Sequence, residues 1–227
     1  MKVSMSKLCH IFFSVALLVS FSQVNAEEAT GLFAGPSISL GVGYLNNNIY
    51  QQNVQSVSGT PSYDQPGASK QDVFGQLSAG YGYDLGQKFN VSIHLFYNFG
   101  NDDVDDIKAT FFQDTVKQGI KNSAGIYIAP GYYIHSKALI FLKVGYVHAD
   151  QTYLRKAQNI NLDNSIEGNL WGIGVKYLVS DNIFIGADLT KYWYGKSKDS
   201  ARLSFLDVNI SSKVKQTSGL VSLGYQF

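Results

Sequence analysis

Residues 217–227 read TSGLVSLGYQF. Val221, Leu223, Tyr225 and Phe227 stand on alternate positions, with Ser222, Gly224 and Gln226 between them. Leu220 is the one apolar exception on the second face. A repeat of two is a strand with two unlike faces. Its backbone N–H and C=O groups need a neighbour along each edge, or an edge open to water. Working back through the chain, seven more stretches repeat the pattern. The simplest structure that pairs all of them is a closed barrel.

The first of these stretches covers Gly31 to Leu45, with Ile38, Leu40, Val42 and Tyr44 on one face and Ser37, Ser39, Gly41 and Gly43 on the other. Pro36 cannot donate a ladder bond, so a kink or local gap is expected there. The next two are Gln71 to Tyr83 and Lys88 to Phe99, joined by the short turn Asp84-Leu85-Gly86-Gln87. Ser123 to Ile134 and Leu139 to His148 follow, joined through His135-Ser136-Lys137-Ala138. Leu170 to Val179 and Ile183 to Tyr194 are joined through Ser180-Asp181-Asn182. Long polar connections are expected over about 46–70, 100–122, 149–169 and 195–216. Four long and three short connections in strict alternation put all the long ones at one end of an up-and-down barrel, which is the layout of outer-membrane barrels.

Composition agrees. Charged residues are 15% of the chain, well below the roughly 25% usual in soluble domains, while Gly (22), Tyr (15) and Phe (14) are abundant. No apolar run is long enough for a transmembrane helix. A soluble lipocalin-type barrel also has eight strands but turns its apolar face inward. Three features favour the opposite orientation. An eight-stranded barrel has little interior room, which suits the Gly- and Ser-rich face. The aromatics of the apolar face sort into two bands: Tyr44, Tyr97, Phe99, Tyr146, Trp171 and Trp193 at the long-loop end, and Tyr81, Tyr83, Phe89, Tyr132, Tyr177, Tyr225 and Phe227 at the turn end. Amphipathic rings collect where lipid headgroups meet hydrocarbon. Finally, Lys143, Lys176, Asp188 and His94 fall mid-strand on the small-residue face. A lysine facing lipid at mid-depth would cost roughly 2–4 kcal/mol.

The N-terminus has the pattern of a secretory signal: Lys2 and Lys7, an apolar Leu8–Phe21, and the small-x-small triplet Val24-Asn25-Ala26. Cleavage is expected after Ala26, leaving 27–227 as the barrel domain. Cys9, the single cysteine, would leave with the signal, so no disulfide is expected. Losing Lys2 and Lys7 leaves 16 basic residues against 17 acidic ones, a balance that gives no footprint for nucleic acid.

A signal peptide, eight alternating strands and the ending Gly224-Tyr225-Gln226-Phe227 resemble the small outer-membrane β-barrel family of the OmpX, opacity-protein and OmpA-barrel type. Ala129-Pro130-Gly131-Tyr132-Tyr133, followed by Leu142-Lys143-Val144-Gly145-Tyr146, is similar to that family's mid-barrel hairpin. The resemblance spans the whole chain after the signal. It implies an all-β, eight-stranded antiparallel barrel in the bacterial outer membrane, in contact with outer-membrane lipid and lipopolysaccharide. It also implies that Val221, Leu223, Tyr225 and Phe227 are the signal read by the barrel-assembly machinery. The peptidoglycan-binding domain of larger relatives is not carried over.

Candidate chemistry is sparse. Lys143, Lys176, Asp188 and His94 are expected to pair as a lumen charge network, because buried charges need partners. The acidic run Asp102-Asp103-Val104-Asp105-Asp106 lacks the alternate spacing, glycine and distal Glu of a calcium loop and is expected to be a solvated loop. Barrels that modify lipid A need a nucleophile and base within reach. His148, at the outer end of its strand, is the best base, His135 sits in a turn, and no acid-supported serine beside either is evident. The expected role is therefore structural and interactive, through four long extracellular loops that contact a host or surface ligand, without cofactor or metal and without catalysis. A narrow channel and a lipid A-modifying enzyme are the alternatives.

Overall fold

The computed structural model describes residues 32–56, 63–65, 69–86, 88–100, 107–109, 114–155, 160–195, 197–203 and 206–227, with side chains within 32–47, 71–86, 88–100, 120, 122–150, 165–195 and 215–227. The expected signal, residues 1–26, and the acidic run 102–106 lie outside these residues. All described regular structure is β: β1 (Gly35–Ser56), β2 (Tyr63–Gln65), β3 (Ser69–Asp84), β4 (Phe89–Phe99), β5 (Ile107–Ala109), β6 (Asp114–His135), β7 (Ala138–Arg155), β8 (Ile160–Leu178), β9 (Ile183–Tyr194), β10 (Ser197–Leu203) and β11 (Leu206–Gln226).

Eight of them, β1, β3, β4, β6, β7, β8, β9 and β11, form one antiparallel sheet in chain order. It closes where β11 pairs with β1, in a ladder that starts at Ser37 opposite Gln226. Closure removes both open edges of the sheet, and the β6–β7 ladder passes over only Ala129 and Pro130 between Ile128 opposite Val144 and Gly131 opposite Phe141.

The two faces part as the alternation requires. Ile38, Leu40, Val42, Leu142, Val144, Leu189, Val221 and Leu223 all project outward, and Val221 keeps 63% of its surface uncovered. Inward stand Ser37, Gln76, Ser78, Ser92, His94, Lys143 and Ser218, each less than a tenth exposed. The inner face also holds large rings: Phe74, Phe96, Tyr127, Phe141, Phe184 and Tyr192 are buried in the lumen. Glycine makes the room for them. A Cβ on Gly224 would collide with the Phe184 ring, and one on Gly80 with the His94 ring. Thus the interior is filled by aromatics seated on cross-strand glycines, in addition to the serine and ions expected from the alternation.

Pro36 causes no kink in the register. The β1–β3 ladder runs unbroken with Pro36 opposite Tyr81. The residue stands second in its strand, a position that tolerates a missing donor. The short turns fall where expected, and Gly86 meets the left-handed φ of +81° that one of them requires.

The long connections are the main correction. Much of 46–70, 100–122, 149–169 and 195–216 is strand. β1 and β11 stay paired up to Ser56 opposite Val208, β6 and β7 up to Val116 opposite Arg155, and β7 and β8 up to Arg155 opposite Ile160. In contrast, β3–β4 pairing stops at Gly75 opposite Phe99, and β8–β9 pairing at Gly168 opposite Tyr194. Above those two points the described barrel divides into two sheets. One is built on β1 and β11 with β2 and β10 at its sides; the other is built on β6, β7 and β8 with β5 beside β6.

Candidate functional site in the lumen and at the rim

Four inward positions at mid-height converge from separate strands: His94 on β4, Lys143 on β7, Lys176 on β8 and Asp188 on β9. Register does the gathering. Asp188 lies opposite Gly174 of β8, and Lys176 lies opposite Gly186 of β9, so across the β8–β9 ladder neither side chain meets a bulky neighbour. Lys143 Nζ reaches Asp188 Oδ2 at 2.8 Å, with both side chains under a tenth exposed. Thr190 Oγ1 donates to the other carboxylate oxygen at 2.8 Å. The Lys143 ammonium also sits 4.8 Å from the centre of the Tyr127 ring.

The second lysine is held differently. Lys176 Nζ lies 3.4 Å from His94 Nε2 and within 5.5 Å of the Phe141 and Phe184 ring centres. No carboxylate among the described residues forms a salt bridge with it. His94 Nε2 is also 3.0 Å from Ser92 Oγ, and the imidazole stacks on Tyr127 at 4.9 Å. The cluster thus gathers two ammonium groups, one carboxylate and one imidazole in a buried interior. Ring quadrupoles supply part of the stabilisation that a second carboxylate would otherwise give.

Ser92 beside His94 is a hydroxyl–imidazole pair, which sequence reasoning did not single out. It lacks the rest of a nucleophilic site. The nitrogen that would take the serine proton also faces an ammonium, and no described carboxylate orients the opposite ring nitrogen. The adjoining lumen cavity, lined by Gln76, His94, Lys143, Lys176 and Asp188 among others, is about 20 Å³. That is room for little more than one water.

The lumen is stoppered on both sides of this cluster. Toward the turns, Phe33, Tyr133, Leu139, Leu178 and Phe184 pack together. Phe33 N–H donates to the Tyr133 hydroxyl oxygen (3.2 Å), and Tyr133 O–H donates to Asp84 Oδ1 (2.8 Å). Asn90 Nδ2 donates to the same carboxylate oxygen at 2.8 Å. Toward the long hairpins, Phe96, Val147, Leu170, Tyr192 and Tyr194 belong to one buried cluster, which Tyr127 and Phe141 join at the level of the charges.

The C-terminal strand places Val221, Leu223, Tyr225 and Phe227 outward, with the rings of Tyr225 and Phe227 edge to face at 4.9 Å. Between them the inward Gln226 ties the last strand to the start of the first. Its Nε2 donates to the carbonyls of Ala34 (2.8 Å) and Pro36 (3.0 Å), and its backbone exchanges bonds with Asn182. A glutamine between two apolar positions of a terminal strand was the available signal for this role. At the opposite rim, exposed His148 Nδ1 stands 3.8 Å from Glu167 Oε1. His135 contacts Ser136 and the backbone of Lys137 in its turn. Neither histidine has a serine–carboxylate pair beside it among the described residues.

A family model described as "Outer membrane protein beta-barrel domain" matches residues 13–227. The chain belongs to that family. It is accordingly an outer-membrane β-barrel protein, and its outward apolar face is the face that meets lipid. No curated protein matches the sequence. Among solved structures it is similar to the outer membrane protein OprG from Pseudomonas aeruginosa, at 12% identity and TM-score 0.55, over 88% of this chain and 99% of that one. It is also similar to Neisserial surface protein A, at 14% identity and TM-score 0.50, over 85% and 99%. A further likeness is to Ail, the attachment invasion locus protein of Yersinia pestis, solved with the heparin analogue sucrose octasulfate. There the identity is 14% and the TM-score 0.46, over 85% and 99%. At these identities the likenesses to OprG and Neisserial surface protein A speak for the fold alone.

Proposed function

We propose that the barrel is an anchor and that function resides in the hairpins it raises above the membrane. The observation that carries this reading is the contrast between a stoppered lumen and rim strands that continue far past the aromatic girdle. From Tyr44, opposite Gly219 in the girdle, the β1–β11 ladder climbs to Ser56 opposite Val208. At about 3.3 Å per residue and a tilt of about 40° that is a rise of roughly 30 Å. Such hydrogen-bonded arms present a surface ligand with a stiffer platform than free loops would.

In this reading residues 1–26 are a cleaved signal peptide that takes the chain through the inner membrane. Val221, Leu223, Tyr225 and Phe227 are read by the barrel-assembly machinery. Lys143, Lys176, Asp188 and His94 serve packing inside the wall, and no catalytic step is assigned to them.

The test is to cut the hairpins back to the girdle. The shortened barrel should still insert and still change its gel migration on boiling, while losing adhesion to host cells or matrix surfaces. Unchanged adhesion, serum resistance and envelope integrity would overturn the proposal. Planar-bilayer recordings of the full protein should show no steady single-channel current, and lipid A masses should be unchanged in a deletion strain.

A further inference from the structure

The charges gathered in the lumen do not balance. At mid-height two lysines, Lys143 and Lys176, stand against one carboxylate, Asp188. Both of its oxygens are engaged, Oδ2 by Lys143 at 2.8 Å and Oδ1 by the Thr190 hydroxyl at 2.8 Å. The remaining acids among the described side chains stand elsewhere. Asp72 and Asp84 lie toward the two ends of β3, Asp181 is in a turn, and Asp150 and Glu167 are exposed on the outer wall.

His94 supplies no counter-charge. An ammonium has three donors and no acceptor, so Lys176 Nζ, 3.4 Å from His94 Nε2, requires that nitrogen to accept. The ring proton then sits on Nδ1, over Gly80, and the imidazole is neutral. Two ammonium groups and one carboxylate leave one net positive charge. The Phe141 and Phe184 rings, 5.5 and 5.2 Å from Lys176 Nζ, stabilise it in part, but a charge in the interior still lacks its counter-ion. The adjoining cavity has room for one. It is about 20 Å³, the space of one water or one small halide ion, and both lysines line it. Gly186 opens it: this residue lies opposite Lys176 on β8 and opposite Ser222 on β11, and a Cβ there would come within 2.7 Å of Ser222 Oγ. The hydroxyls of Ser39 and Ser222 line the same space and can turn an O–H toward an anion.

We propose that this cavity seats one small monovalent anion of the halide class, held by the Lys176 and Lys143 ammonium groups and the Ser222 hydroxyl. The aromatic clusters on both sides stopper the lumen, so the ion is enclosed as the barrel closes. It serves there as the counter-ion of Lys176 and does not pass through the wall.

Urea unfolding of the processed protein in vesicles tests it, with chloride raised at constant ionic strength in exchange for gluconate, an anion too large for the cavity. Above half-saturation the unfolding equilibrium constant should fall roughly tenfold for each tenfold rise in chloride. Lys176→Met removes the unmatched charge and should leave a change of less than about twofold. Ser222→Asp sets a carboxylate across Gly186 from Lys176 and should abolish the response in the same way with both lysines present. Changed migration on boiling shows that each variant forms the barrel, so loss of the fold is read separately from loss of the ion. Crystals grown with bromide in place of chloride should give one anomalous peak beside Lys176 and Ser222. An unfolding constant independent of chloride, a response as large in Lys176→Met as in the parent, or a lumen without bromide would each overturn the proposal.

Discussion

Leu142 and Lys143 are neighbours on β7 and live under opposite rules. Leu142 points into lipid beside Ile140 and Val144 and needs only to be apolar. Lys143 points into the lumen and is held by Asp188, with the Tyr127 ring beneath its ammonium. One face is selected by its solvent and tolerates any greasy residue. The other is selected by particular partners and tolerates few changes. Side-chain identity matters inside the wall, whereas side-chain class matters outside it.

Removing a partner inside should have the largest effect. Asp188→Ala leaves Lys143 and Lys176 buried with no carboxylate between them, and breaking such a pair costs roughly 3–5 kcal/mol. Urea unfolding in phospholipid vesicles, followed by the fluorescence of Trp171 and Trp193, would read the loss. Transferring the charge to the other face comes next. Leu142→Lys should destabilise by roughly 2–4 kcal/mol, because its ammonium meets acyl chains at mid-depth. Equal stability of that variant would mean that the outer face does not sit in hydrocarbon.

At the turn end, Tyr133→Phe removes the hydroxyl that joins Phe33 N–H to Asp84. A loss of roughly 1–2 kcal/mol is expected, with faster hydrogen exchange at the Phe33 amide as the local readout. The smallest change should come from replacing both charged partners together. Lys143→Met with Asp188→Leu should stay within roughly 1 kcal/mol of the parent, since a packed apolar pair escapes the desolvation cost of the ion pair. A loss as large as that of Asp188→Ala would show that the pair stabilises the lumen in its own right.

The same contrast explains what could be read without coordinates. The outer face was legible because lipid demands apolar residues at every second position, and Val221, Leu223, Tyr225 and Phe227 display the repeat openly. Closure followed from the need to pair every edge. The upper halves of β1, β6 and β11 were not legible, because above the girdle lipid no longer selects one face. Asn46-Asn47-Asn48 and Ser211-Ser212 therefore read as loop although they lie in strands. Inside, Lys143, Lys176, Asp188 and His94 could be assigned to a common face, but their distances depend on strand stagger. Phe33 gave no signal at all, since its role as a stopper depends on Tyr133, a hundred residues away.

Spin-label accessibility along β7 tests the orientation of the wall most directly. The sequence from residue 27 onward contains no cysteine, so single cysteines at positions 139–147 can be labelled one at a time in refolded protein in vesicles. Collision with oxygen, which concentrates in the bilayer, should alternate: high at 140, 142, 144 and 146, low at 139, 141, 143, 145 and 147. The reverse alternation, or none, would contradict a barrel that turns its apolar face to lipid.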